Sequence, residues 1–300
     1  MSETTARTLQ LAAERVQYPR PSSRWSPLFL LLRKKSALLG LILFLLVILS
    51  GVFAPLIAPY DPLKINVRDR LHQPSREHWI GTDELGRDVL SRIIYGARIS
   101  VSVGVIAITI AIAVGVPLGV LAGFYGGMVD NLVMRSMDAL AAFPAVLLAL
   151  AIVSAMGPSI RNAMIAIGIV YLPAFSRLVR GNVLSVKEKE YVEASRTCGA
   201  TDFHIMFKTI LPNCISPVLV HASLGFANAI IIEAALSFLG LGAQPPSPSW
   251  GAMLDQGRVF MTHTVWYSIS AGMAIFLSVL GLNLVGDGLR DVLDPRLRGR

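Results

Sequence analysis

The sequence predicts an all-α, polytopic membrane protein with six transmembrane helices, and three observations predict it. Of 300 residues, 54% are apolar and only 15% charged, with mean hydropathy +0.61; soluble domains carry roughly 25% charged residues. Apolar runs recur along the chain, several of them about 20 residues long, which is enough to cross a ~30 Å hydrocarbon core. Lys and Arg, finally, collect in every second segment between those runs.

The first 35 residues are polar, with Pro19, Pro21 and Pro27 and a basic run ending in Arg33, Lys34 and Lys35; they read as a cytoplasmic basic tail. Ala37 to Ile57 is the first span. A secretory signal has a shorter apolar part and a small-residue cleavage site, whereas this run ends in "APLIAPYDP", where prolines stop a helix. Further spans are expected at 99–123, 138–156, 162–176, 213–238 and 267–286. The fourth is the weakest, being short and holding Pro173. Residues 36–80 therefore form an N-terminal span with its outer loop, and 81–300 a core of five spans that includes a polar element at 186–212.

Charge orients these spans. One face receives the tail, the 124–137 turn, the 177–211 segment and the C-terminus, with eighteen Lys and Arg against nine on the other face. Cytoplasmic loops hold the excess, so both termini are expected in the cytoplasm. Asp138 lies three residues after Arg135 and is expected to pair with it. Gly115, Gly119 and Gly123 form two overlapping GxxxG patterns, which let helix backbones approach; internal packing is favoured over a subunit contact.

Several chemistries are excluded. The net charge of +8 is spread between apolar runs rather than gathered in a basic stripe with exposed aromatics, which argues against nucleic acid. Cys198 and Cys214 are too few for a disulfide framework, and with no CxxC or HExxH spacing beside them no metal site is expected. No phosphate-binding, nucleophile-elbow or zinc-protease motif is present, so neither a cofactor nor a catalytic residue is expected. A secondary carrier would need intramembrane ionisable pairs or inverted repeats, and neither is visible. A membrane hydrolase would need catalytic groups converging at the membrane boundary.

The polar stretch "EYVEASRTCGATDFHIMFKTILPN" (190–213) interrupts the apolar runs. Ser185 and Glu188 have the spacing of a capping box, from which a helix is expected to run through Cys198. Gly199 suits the left-handed residue that ends a helix, and Thr201 or Asp202 can cap a second helix ending near Leu211 and Pro212. Tyr191, Ala194, Ser195 and Cys198 make a small face at helical spacing, and Phe203, Met206, Phe207 and Ile210 a bulky one. Such contrasting faces fit a docking surface as well as an amphipathic helix on the membrane interface.

Further along, Thr82 or Asp83 can cap an amphipathic helix on the outer interface, with Arg87 and Arg92 turned away from its apolar face. Glu233 lies near the outer end of the fifth span, where an intramembrane acid is a functional candidate. "QPPSPSWG" cannot be helical through its prolines and reads as a stiff outer loop with Trp250 as its interface anchor.

Glu193-Ala194-Ser195, then Gly199, then Ile210-Leu211-Pro212, resembles the EAA signature of ABC-importer permeases; the third position there is often alanine, and Ser195 is a small-for-small change. "GTDELGRDVLSRIIYGARIS" (81–100), "FYGGMVDNLVMRSMDALAAFP" (124–144) and "EAALSFLGLGAQPPSPSWGAML" (233–254) resemble the dipeptide, oligopeptide and nickel importer branch. Within it they are similar to the second permease subunit, which has an extra N-terminal span.

That resemblance implies a type I importer fold in the bacterial cytoplasmic membrane, moving peptides, or nickel or another small solute, by alternating access. It implies that separate ATPase subunits supply the energy, so that the chain itself is no enzyme. The implied partners are a homologous permease, two cytoplasmic ATPase subunits, an extracytoplasmic binding protein and membrane lipid. It also implies that Glu193, Ala194, Ser195, Gly199, Phe203, Ile210, Leu211 and Pro212 belong to the ATPase-coupling element. Glu233 and Trp250 become candidates for an outer gate or a binding-protein contact.

Overall fold

The computed structural model describes Leu32 and residues 34–293; most of the basic tail and residues 294–300 lie outside the described residues. It is built from helices, with no strand among the described residues. In chain order the longer ones are α1 (Lys35–Val52), α2 (Val89–Tyr125), α3 (Gly127–Ala141), α4 (Ala145–Met156), α5 (Ile160–Val186), α6 (Glu190–Thr197), α7 (Leu211–Phe238), α8 (Trp250–Val259) and α9 (Trp266–Leu293). Five are long and apolar enough to cross a membrane: α1, α2, α5, α9, and α7 together with its helical lead-in from Asp202. The sixth crossing exists only if α3 and α4, bent by 91° at their junction, are taken as one broken span.

The span expected at 138–156 falls across this bend. Pro144 has no N–H to continue a helix and disfavours helical backbone at Phe143, so α3 stops at Ala141 and α4 restarts at Ala145. The 12 residues of α4 rise only about 18 Å, short of the ~30 Å core. Pro173 does not act this way: α5 passes through it without interruption for 27 residues. Prolines inside spans are tolerated where neighbouring helices re-satisfy the backbone, and Pro173 is buried. The span expected at 99–123 is likewise longer, because α2 begins ten residues earlier, at Val89.

The core forms where α2, α5 and α7 meet, around Val103, Ala107, Ile167, Phe175, Val179 and Ile230. Small residues set the α2–α5 distance. A Cβ on Gly115 would come within 3.1 Å of Phe175 Cβ, and one on Gly123 within 2.8 Å of Val183 Cβ. The GxxxG stripe is thus filled by α5 of the same chain, as internal packing requires. Elsewhere, α1 lies along α9, with Gly40 facing Gly281 and Leu284. Lys34 joins the start of α1 to the end of α9 through a 2.6 Å ion pair with Asp291.

Candidate functional site

α5 runs on to Val186 because Val179, Val183 and Val186 are all buried against the core. This overturns the expected capping box. Ser185 sits in the last turn of α5, and α6 starts only at Glu190, with Lys189 at its N-cap and no side-chain cap. Glu190 and Glu193 lie in its first turn and Arg196 in its last, the arrangement the helix dipole favours.

α6 ends as expected. Gly199 has φ +80°; its N–H donates to Arg196 O at 3.0 Å, while Ala200 N–H donates to Ser195 O at 3.1 Å. These two bonds make a Schellman motif, which needs a left-handed residue at the glycine position. Nothing lies within 4 Å of a Cβ built there, so the requirement is conformational and not steric. Thr201 Oγ1 then accepts from His204 N–H at 3.4 Å and caps the next turn.

The second half differs from the expected separate helix. From Asp202 the chain stays helical to Phe238, passing through a π-helical stretch, Ile205–Ile210. The i→i+5 bonds of a π turn take in an extra residue, so the 3.6-residue register does not hold, and the bulky face is split. Met206 and Ile210 are buried in the core, Phe207 is half-buried, and Phe203 is 68% exposed. The Phe203 and Phe207 rings remain stacked at a tilt, 4.7 Å between centroids.

Glu193, Ala194, Gly199, Phe203 and Pro212 therefore face outward, Ser195 and Leu211 are half-buried, and Ile210 is buried. Ser195 Oγ donates to Tyr191 O at 2.9 Å, a bond within α6. The element is rooted by Val192, 1% exposed in the core cluster, and by Arg196, whose guanidinium lies 5.8 Å from the Phe124 ring centroid. Lys187 Nζ donates to Gly123 O at 3.0 Å. Beside it Arg180 makes a bidentate pair with Asp130, both bonds 2.5 Å. Asp138 pairs with Arg177 of α5 at 2.8 Å, not with Arg135 as expected, so this contact joins two helices. These contacts tie α6 to the end of α2, and α5 to α2 and α3.

The lead-in to α2, residues 81–88, is not helical, which corrects the amphipathic helix expected to start at Thr82 or Asp83. Asp83 Oδ2 accepts from Arg87 Nε at 2.6 Å and lies 3.4 Å from Arg92 Nε. All three side chains are almost fully buried, and buried charges persist when paired and hydrogen-bonded. Asp88, not Thr82 or Asp83, caps α2 by accepting from Ser91 N–H at 2.8 Å. Arg92 Nη1 donates to Pro62 O at 3.2 Å, which ties the loop after α1 to this cluster.

Glu233 and Trp250 sit beneath that cap. Glu233 is 0% exposed, and its carboxylate accepts from Ser237 at 2.7 Å, Ser249 at 3.1 Å and Ser100 at 3.4 Å. One side chain thus joins α7, the start of α8 and α2. Trp250 is 2% exposed; it opens α8, covers Gly96 and donates from Nε1 to Ile93 O at 3.0 Å. It is a buried clasp, contrary to the interface anchor expected. Neither residue offers a surface for direct contact with another protein. The serines and the buried arginines were not among the expected site residues; "GTDELGRD" held the signal, as paired acids and arginines too dense for a simple outer loop.

Residues 115–299 match the family model for the binding-protein-dependent transport system inner membrane component, and residues 28–74 that for the N-terminal TM domain of oligopeptide transport permease C. The chain is 48% identical to the dipeptide transport system permease protein DppC of Alkalihalophilus pseudofirmus, covering 92% of this chain and 91% of the relative. It is 46% identical to the di/tripeptide transport system permease protein DppC of Pseudomonas aeruginosa, covering 94% of both. To the glutathione transport system permease protein GsiD of Pectobacterium atrosepticum it is 46% identical, covering 89% of both. Among solved structures it resembles the inward-facing MetNI methionine ABC transporter at TM-score 0.56 and 18% identity, covering 67% of this chain and 96% of that one, a likeness of fold.

Proposed function

The chain belongs to the family of binding-protein-dependent transport system inner membrane components, and from that premise we propose that it is a permease subunit of an ATP-driven peptide importer. The observation that carries the mechanism is the outward-facing edge of the 186–212 element, set on a root buried in the spans. An ATPase seated against Glu193, Ala194, Gly199 and Phe203 gains a lever on α5 and α7 through Val192, Ile205 and Ile210. Such coupling requires the two states of the permease to contact the ATPase differently.

The chain then pairs with a homologous permease, two cytoplasmic ATPase subunits and an extracytoplasmic binding protein, and performs no chemistry itself. Both termini and the 186–212 element face the cytoplasm of a bacterial cell, in line with the distribution of Lys and Arg. Residues 1–35 serve as a tail, 36–80 as a peripheral span with its outer loop, and 81–300 as the translocating core. Glu233 and Trp250 act at the outer gate by holding α8 to α2 and α7. The substrate class follows the relatives, whose names specify dipeptides, di/tripeptides and glutathione.

Uptake of a labelled dipeptide by cells lacking the chain, with and without a plasmid copy, tests the reading. Loss of uptake, restored by the copy, is expected. Unchanged peptide uptake alongside loss of another solute would overturn the peptide assignment.

A further inference from the structure

A groove of about 740 Å³ opens between the inner halves of α5, α7 and α9. α7 forms its floor with Ser216, Val220 and His221, α5 one wall with Asn182, and α9 the other with Arg290 and Leu293. The opposite face of α7, through Val218, Gly225 and Phe226, is used for packing. The groove's polar side chains lie near the C-terminal ends of α5 and α9 and along the first half of α7, with Asn182 and Arg290 beyond the most apolar stretches of their helices.

The chemistry of the lining is specific. Arg290 is the one charged side chain among the lining residues, it is exposed at the mouth, and it makes no ion pair with a described residue. Its neighbour Asp291 is already paired with Lys34. Asn182 Nδ2 donates to Leu178 O and Asn213 Nδ2 to Thr209 O, both at 2.8 Å. Both amides thus spend a donor within their own helix, and among the described residues nothing donates to their Oδ1 atoms. The groove therefore offers one cation and two carbonyl acceptors, with the Ser216 hydroxyl and the His221 imidazole beside them. A free carboxylate with an amide N–H close by fits that set. A lipid phosphate would use the arginine and leave the carbonyl acceptors unmatched.

We propose that this groove is a transit site for the C-terminal end of a translocating peptide, with Arg290 binding its carboxylate and Asn182 and Asn213 accepting from its N–H groups. The inference rests on the peptide-importer reading.

The test uses the complete transporter in liposomes, with saturating binding protein so that only the maximal uptake rate is compared. Two substrates of one sequence are used, one with a free and one with an amidated C-terminus. Arg290→Gln is expected to lower the free-to-amidated rate ratio about tenfold, the scale of one charge-assisted hydrogen bond, and Arg290→Lys to restore part of it. If Arg290→Gln fails to assemble, Asn182→Asp should lower the same ratio by setting an anion against the carboxylate. Equal effects on both substrates, or none, would overturn the proposal. So would a defect equal for both substrates that varies with the anionic lipid content, which would make Arg290 a headgroup contact. Should the wild-type transporter carry neither peptide, the importer reading itself fails.

Discussion

Ser249 Oγ donates to Glu233 Oε1 across 3.1 Å, and through this contact the first turn of α8 is fixed to the C-terminal end of α7. Ser249 also caps α8 by accepting from Ala252 N–H at 3.4 Å. Ser237, which donates to the same carboxylate oxygen, accepts from Ala243 N–H at 3.1 Å. The loop between α7 and α8 is therefore held at both ends by the network around one acid.

Replacing Glu233 with Ala leaves three serine hydroxyls without their common acceptor and opens a void. A loss of about 1–3 kcal/mol is expected for each buried polar group left unpaired, and thermal unfolding of the purified complex checks it. Glu233→Gln keeps one carbonyl acceptor and should fall between wild type and Glu233→Ala. Equal unfolding temperatures for Glu233→Ala and wild type would show that α8 is held by its other contacts, Trp250 to Ile93 and Gln256 to Tyr267, and not by this network.

At Gly199 the open space around the Cβ position separates backbone conformation from crowding. Val disfavours a positive φ, at about 1–2 kcal/mol for L-residues, whereas Asn visits that region readily. Gly199→Val should therefore loosen the α6 turn and lower both the ATPase content of the purified complex and the coupling of hydrolysis to uptake. Gly199→Asn should retain both. Loss with Asn equal to that with Val would move the cause from the turn to close approach by the ATPase.

Gly123 and Gly181 make a contrasting pair. A side chain on Gly123 runs into Val183, while nothing lies within 4 Å of a Cβ on Gly181. Gly123→Leu should overpack the α2–α5 contact at about 1–3 kcal/mol and reduce the yield of folded permease in detergent. Gly181→Ala should hold or raise stability, by up to about 1 kcal/mol from helix propensity. Equal yields for the two variants would refute the α2–α5 packing described above.

Features written in contiguous residues were legible in the sequence. Apolar runs announced the crossings, and Gly199 with Thr201 announced the turn, because caps and left-handed residues act within a few positions. What was missed depends on partners far along the chain. Ser100 reaches Glu233 across 133 positions, and Trp250 reaches Ile93 across 157, so no local pattern marks either as buried. Proline was ambiguous for the same reason. Pro144 breaks a helix where Pro173 does not, and what tolerates Pro173 is supplied by neighbouring helices. The π stretch at 205–210 shifted a face that regular spacing had placed outside.

The two cysteines offer a direct reading of topology. Cys198 is exposed just before the Gly199 turn, while Cys214 is buried. A membrane-impermeant maleimide should therefore label only Cys198, and only from the cytoplasmic side. Inside-out vesicles stripped of ATPase are expected to label fully and intact spheroplasts hardly at all, with Cys198→Ser as the blank. ATPase added back before the reagent should protect Cys198, because the thiol lies on the edge assigned to docking. Labelling in spheroplasts would place the 186–212 element outside, reverse the orientation of the spans and remove the ATPase from this surface. Cytoplasmic labelling without protection would keep the topology and move the docking contact away from the C-terminal end of α6.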